Sequence, residues 1–373
     1  MILQDDPAVS QATSLKEQFD AAVYRPQGWR EDYFINQFRN RLRYGFAPGF
    51  GLPKKGTIVL THGYGEFIEL YYQAISEYQH MGFDVWAMDF YGFGKSGRDD
   101  PENPHRPSTK GMLRHVRDLD FFIKHIVKKI PDKPLIMSTH SMGGHIGLLY
   151  LQRHPGIFDG AIMSAPMFDI FRFGLPWYTR PLVRLMFNTL SMVGFRNKMV
   201  PATPGTWERF ARVGTALADT SEDGGLRKAY NEMMRSALPE TRIDRPTFGW
   251  VAKAFGTIIK STRGSRLKSV SIPILLGTAG IESLVNNEET ERAAKLMPHA
   301  TLVKLPYAHH GLWFENNKNY DIWIGHIRRF LHKVTTGEDQ DYDYDNAASQ
   351  QVQAESARAE KIRAAFPIIP MPK

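Results

Sequence analysis

The stretch Ser138-Thr139-His140-Ser141-Met142-Gly143-Gly144 decides the reading of this chain. It follows an apolar run, Pro134–Thr139 (PLIMST), and opens a second one of helical length, Gly143–Arg153. A serine at a sharp strand-to-helix turn between small residues is the context of a nucleophile elbow. The turn lifts the Ser141 hydroxyl out of the sheet, and the glycines behind it let strand and helix approach closely. The N–H of the next residue, Met142, then faces any oxyanion that forms at the serine. One position departs from the usual G-x-S-x-G pattern: the first glycine is Thr139, whose β-branched side chain crowds the turn. A bare pentapeptide match is also met by a buried serine in an ordinary Gly-rich loop. The strand before it and the helix after it separate the two readings.

Working outward, apolar runs at Thr57–Thr61, Phe83–Met88, Asp159–Ser164, Ile272–Gly277 and Ala300–Leu305 read as further strands. Amphipathic stretches at Glu69–His80, Gly111–Lys129, Glu288–Leu296 and Asn319–Val334 read as helices between and after them. Nearly continuous apolar strands separated by helices imply a parallel sheet buried on both faces. Ahead of them, the alternation in Asp32–Phe46 reads as an antiparallel hairpin. The fold class is therefore α/β, an open, mostly parallel sheet with an antiparallel N-terminal hairpin.

The strand–helix alternation stops between Met167 and Thr262. This stretch is rich in aromatic, Met and Arg residues and carries 14 Lys and Arg against 8 Asp and Glu. It reads as an inserted helical cap, residues 167–262, on a core of residues 1–166 and 263–335. Residues 336–373, with DQDYDYDN near the start and FPIIPMPK at the end, read as a flexible tail with a helix at Ala354–Ala365.

A nucleophilic serine needs partners at set places along such a fold. Thr61-His62-Gly63-Tyr64-Gly65-Glu66 follows the first parallel strand, and Tyr64 N–H is the expected second oxyanion donor. His62 reads as a structural residue that holds the loop. The general base should follow the last strand, where Tyr307-Ala308-His309-His310-Gly311 stands. Neighbouring side chains point apart, so one histidine of the pair can reach Ser141. His310, beside the permissive Gly311, is preferred. The acid should follow the preceding strand, and Glu282 is the one carboxylate between that strand and Val285. Glu is less usual there than Asp, and Asp169, one strand earlier, is the rival.

Other classes are excluded or disfavoured. The 373 residues, 42% hydrophobic and 23% charged, contain ample core, so disorder is not the main state. There is no cysteine, hence no disulfide, thiolate nucleophile or zinc-thiolate site. No run of about 18 apolar residues spans a bilayer, and MILQDDPAVSQ does not read as a secretory signal. The lack of cysteine together with the missing signal favours the cytoplasm, with the basic balance (net charge +8) allowing peripheral contact with the inner membrane surface. The Lys and Arg residues are scattered, which argues against nucleic acid. Gly92-Phe93-Gly94-Lys95-Ser96-Gly97 matches G-x-G-x-x-G, but acids and prolines follow it where a helix should open, so it reads as a structural loop. The 13 histidines include no HExxH, and no metal or cofactor is expected.

These residues resemble the bacterial lysophospholipases of the monoacylglycerol-lipase-like branch of the serine α/β-hydrolases. The resemblance is carried by THGYGEFIELYYQAI (Thr61–Ile75), FDVWAMDFYGFGKSGR (Phe83–Arg98), THSMGGHIGL (Thr139–Leu148), FDGAIMSAPMF (Phe158–Phe168), PTFGWV (Pro246–Val251) and HHGLWFEN (His309–Asn316). It covers roughly residues 30–335. It implies an α/β-hydrolase fold and a serine esterase acting on acyl lipids, lysophospholipids first, with monoacylglycerol lipase or general carboxylesterase as alternatives. Ser141 would be nucleophile, Glu282 and His310 the rest of the triad, and Tyr64 and Met142 the oxyanion donors. The family usually has Asp at the Glu282 position, Arg-Gly where Tyr91-Gly92 stands, and often Glu where Gly311 stands. A peptidase would present acids on the cap for a free amino terminus, and this cap is net positive. A non-catalytic binding protein would have lost members of the triad.

Overall fold

The computed structural model describes residues 25–170, 177–201 and 225–339. The expected helix at Ala354–Ala365 lies outside them. Eight strands form one sheet: β1 (Arg30–Ile35), β2 (Arg41–Ala47), β3 (Gly56–Thr61), β4 (Phe83–Met88), β5 (Leu135–His140), β6 (Gly160–Ser164), β7 (Ile274–Ile281) and β8 (Ala300–His309). Their spatial order is β1-β2-β4-β3-β5-β6-β7-β8. The hairpin β1–β2 joins the sheet antiparallel to β4, and every pairing from β4 to β8 is parallel.

Alternation along each strand assigns its side chains to one of two cores. Val59, Met137, Met163 and Leu276 face one side, packed with residues of α2 (Met112–Phe122), α3 (Met142–Leu151), α6 (Phe248–Ser261) and α8 (Asn287–Leu296). Leu60, Ile136, Ile162 and Leu275 face the other, packed with α1 (Tyr72–His80), α5 (Gly225–Ala237) and α9 (Asn317–Thr336). Burial on both faces explains why these strands read as unbroken apolar runs.

Residues 177–201 hold α4 (Arg180–Leu190) and a turn bent at Val193 and Gly194. Phe187 of α4 packs on Phe248 and Phe255 of α6, with ring centroids 5.6 and 6.2 Å apart. Helix α6 is capped by Thr247, whose hydroxyl accepts the Trp250 N–H, and α7 (Gly264–Lys268) leads back to the sheet. Two strands run further than their apolar runs suggest: β7 to Ile281 rather than Gly277, and β8 to His309 rather than Leu305. An irregularity between Ala279 and Ile281 shifts the register, and Ile281 pairs with His309. The extension carries polar and exposed residues, so hydrophobicity does not mark it.

Candidate active site

Strand β5 ends at His140, and Ser141 is the residue before α3. Its backbone sits at φ 50°, ψ −114°, a conformation that costs a non-glycine residue about 1–3 kcal/mol and persists only where the surroundings over-determine it. They do so here: Ser141 N–H donates to Ser164 O at 3.0 Å, and its carbonyl accepts from Met167 and Gly144. A Cβ on Gly143 would lie 2.7 Å from the His62 carbonyl oxygen, and one on Gly144 2.6 Å from Pro166 Cβ. Thr139 is buried and its hydroxyl is 3.3 Å from Ile162 O. The helix presents Gly144 and Gly147 to it, and a Cβ on Gly147 would come within 3.2 Å of Thr139 Cγ2. The missing glycine in the strand is thus offset by glycine in the helix.

The extended β7–β8 pair brings the other two residues in. Since Ile281 pairs with His309, Glu282 and His310 leave the sheet side by side. His310 Nδ1 is 2.7 Å from Glu282 Oε2, and its Nε2 is 2.9 Å from Ser141 Oγ. A carboxylate only accepts, so Nδ1 carries the proton and Nε2 offers its lone pair to the serine hydroxyl. Glu282 Oε1 accepts the N–H groups of Ser283, Leu284 and Val285 at 2.8, 2.7 and 3.3 Å. Burial alone would raise the pKa of Glu282; the bond and charge of His310, helped by the Leu284 and Val285 N–H groups, outweigh it and lower the value. The neighbouring His309 is mostly exposed and pairs with Glu315 at 3.1 Å. Asp169 is buried, and its carbonyl accepts Asn286 N–H; the carboxylate on His310 Nδ1 is that of Glu282.

The turn after β3 faces the elbow. His62 Nδ1 lies 2.7 Å from Gly63 O, and its Nε2 accepts Phe90 N–H at 3.1 Å, so both ring nitrogens are engaged in holding the loop. Glu66 reaches back to Gly63 N–H at 2.7 Å and to Tyr71 OH at 2.5 Å. Among the described residues no hydrogen bond holds Tyr64 N–H, and Met142 is the first residue of α3, one of the four whose N–H has no acceptor within its own helix. Unpaired backbone donors at a serine elbow are what an oxyanion requires.

Two features escaped the reading of the sequence. His140, next to the serine, is buried with its ring 4.9 Å from that of His310. Burial first, then the charge of His310, holds its pKa down at about 4 against the pull of Glu66, so it stays neutral beside Ser141 and His310. Shortly after the turn that follows β3, Glu69 is gripped by Arg43 of the hairpin through both carboxylate oxygens at 2.8 and 2.9 Å, and Arg43 also reaches Asp89 at 3.2 Å. Asp89 in turn accepts the N–H groups of Ile68 and Lys95. The Gly92–Gly97 loop wraps Arg98, which donates to the carbonyls of Phe93, Gly94 and Ser96. Among the described residues no cluster of His, Asp and Glu is arranged to hold a metal ion.

A mostly parallel sheet with a strained serine at the β5–α3 turn, and a histidine and carboxylate after the last two strands, defines the α/β-hydrolase class. Within that class the chain belongs to the family described as serine aminopeptidase, S33, whose model matches residues 53–317. Lysophospholipase L2 of Escherichia coli (strain K12) is 30% identical over 238 residues, covering 62% of this chain and 64% of that protein. The chain thus spans just under two thirds of this relative's length. A monoacylglycerol lipase of Mycolicibacterium smegmatis is 31% identical over 119 residues, 30% of this chain and 38% of that one. Among solved structures, a soluble variant of monoglyceride lipase from Saccharomyces cerevisiae superposes with a TM-score of 0.65 at 18% identity, over 84% of this chain and 99% of that one. At that identity the likeness speaks for the fold.

Proposed function

We propose that this chain is a serine hydrolase of acyl-lipid esters, with a lysophospholipid as the leading substrate. The observation that carries the chemistry is the line from Ser141 Oγ through His310 to Glu282, with contacts of 2.9 and 2.7 Å. His310 Nε2 takes the Ser141 proton as Oγ attacks the ester carbonyl. The tetrahedral oxyanion is held by the N–H groups of Tyr64 and Met142, and His310 returns the proton to the departing alcohol. Water, deprotonated by His310, then attacks the acyl-enzyme and releases the fatty acid and free Ser141. Glu282 keeps the imidazole in the required tautomer and stabilises the imidazolium.

The substrate class is supported by the lysophospholipase and monoacylglycerol lipase relatives and by the composition of the cap. In this reading residues 167–262 form a cap over the core of residues 1–166 and 263–335. Its apolar residues guide the acyl chain, and its positive balance suits a phosphate head group. On α4 and the turn after it, Leu182, Leu185, Met186, Met192 and Val193 are exposed, and Arg180 and Arg184 belong to the same helix. An exposed apolar stripe with basic residues fits peripheral docking on an anionic bilayer. No helix among the described residues is long and apolar enough to cross a membrane.

The test is fatty-acid release from lysophosphatidylcholine, lysophosphatidylethanolamine, monoacylglycerol and a short p-nitrophenyl ester, with Ser141→Ala as the blank. Release from the lysophospholipids that vanishes in the variant is expected. Release only from monoacylglycerol or the short ester would move the substrate to a neutral ester, and release of amino acids from peptides alone would favour the peptidase reading. For the membrane contact, changing Arg180 and Arg184 both to Glu should abolish sedimentation with anionic vesicles; unchanged sedimentation would sink the docking reading.

A further inference from the structure

The turn that carries the proposed Tyr64 oxyanion donor is flanked by glycine. Tyr64 stands between Gly63 and Gly65, and Gly65 has φ +66°. Two flanking glycines leave the intervening peptide planes free to rotate, yet an oxyanion donor must point within narrow limits of the reacting oxygen. Within the turn His62 and Glu66 hold the Gly63 end; the Tyr64 side chain and the Gly65 end are held from outside it. The Tyr64 hydroxyl donates to the carbonyl of Asp244 at 2.7 Å. Its ring meets Trp250 of α6 edge to face, with centroids 4.7 Å apart at 69°, and it meets Phe93 at 5.5 Å. Arg235 of α5 donates to the Gly65 carbonyl at 2.9 Å. Asp244, Trp250 and Arg235 all belong to the segment between the two halves of the α/β core. Burial, with the charge of Asp244 adding to it, raises the Tyr64 phenol well above its ordinary range, so it remains a donor at every working pH.

We propose that Tyr64 is a positioning residue, its side chain latched to the inserted segment at Asp244 and Trp250 so that its own backbone N–H stays aimed at the oxyanion, with Arg235 as the second latch. This rests on the reading of Ser141 as nucleophile and of Tyr64 N–H as oxyanion donor. The consequence is that the inserted segment is part of the catalytic geometry as well as a cover: residues that touch no substrate set kcat.

Tyr64→Phe removes one hydroxyl and keeps the ring and the N–H. Arg235→Gln loosens the other end of the turn. Complete loss of an oxyanion donor costs about 10²–10³ in kcat, and misaiming one should cost roughly tenfold. On a short, soluble p-nitrophenyl ester, each variant is expected to lose about tenfold in kcat with KM within about twofold. Phosphonylation of Ser141 by a fluorophosphonate, which passes through the same oxyanion, should slow in parallel, while the melting temperature changes by only a few degrees. If the wild-type protein takes up the phosphonate on Ser141 and both variants match it in kcat, the latch is wrong and the triad stands. If KM rises with kcat unchanged, the contacts serve substrate binding and the proposal falls. If the wild-type protein takes up no phosphonate on Ser141, the hydrolase reading falls and takes the latch with it.

Discussion

At the scale of single residues, the strain at Ser141 and the line to His310 and Glu282 say most. The elbow at Ser141 is legible because a serine at such a turn needs small neighbours at fixed spacing after a strand. For a base the sequence offers a pair of histidines, and of the two His310 spans Ser141 and Glu282, whereas His309 turns outward to Glu315. A candidate acid is less legible, since a glutamate in a loop is usually solvated. What distinguishes Glu282 is invisible to a linear reading: three N–H groups on one oxygen and the histidine on the other. Glu282→Gln is therefore expected to cost roughly 10³-fold or more in kcat, as in other triads whose acid is neutralised, and far more than Asp169→Asn. Assaying both variants on the same ester checks this, and the reverse order would move the acid one strand earlier.

At the scale of elements, the parallel strands and their helices were readable from apolar runs because both sheet faces are buried. The ends of β7 and β8 were not, because the pairing that joins Ile281 to His309 depends on a register shift and on a neighbouring strand. The hairpin was visible, but its task was not. Arg43 sits in a buried pocket with Glu69 and Asp89, all with side chains at most 1% exposed. Burial alone would raise the pKa of Glu69; the charges of Arg43 and Lys95 drive it down to about 2. The cluster ties β2 to the turn at Glu69, shortly after β3. Arg43→Met leaves the buried Asp89 without the Arg43 cation and Glu69 with Lys95 alone, and should cost about 3–5 kcal/mol, read as a fall in the urea midpoint. A loss below about 1 kcal/mol, the size of an exposed pair, would contradict the structural role.

At the scale of the whole molecule, the buried histidines set a response to acid. Burial first of all holds His115 and His145 at about 3 and His140 at about 4, against about 6.5 in an unfolded chain. Below that value the unfolded chain binds protons that the native state refuses, so stability is present above pH 6.5 and is lost as the pH falls. Asp118, raised by burial to about 6, works the other way with one proton. The balance of about two protons corresponds to roughly 3 kcal/mol per pH unit between pH 6 and 4. Urea unfolding at pH 7, 6 and 5 should show the slope, and His145→Gln should flatten it by about one proton. A flat profile in the wild-type protein would contradict the neutral buried histidines.

The central claim is that Ser141 is the activated nucleophile. The most direct measurement is peptide mapping of the protein after reaction with a fluorophosphonate, by mass spectrometry. One adduct per chain on Ser141, absent from Ser141→Ala and sharply slowed in His310→Ala, is the predicted result. An adduct on another serine, or none on a folded protein, would contradict it.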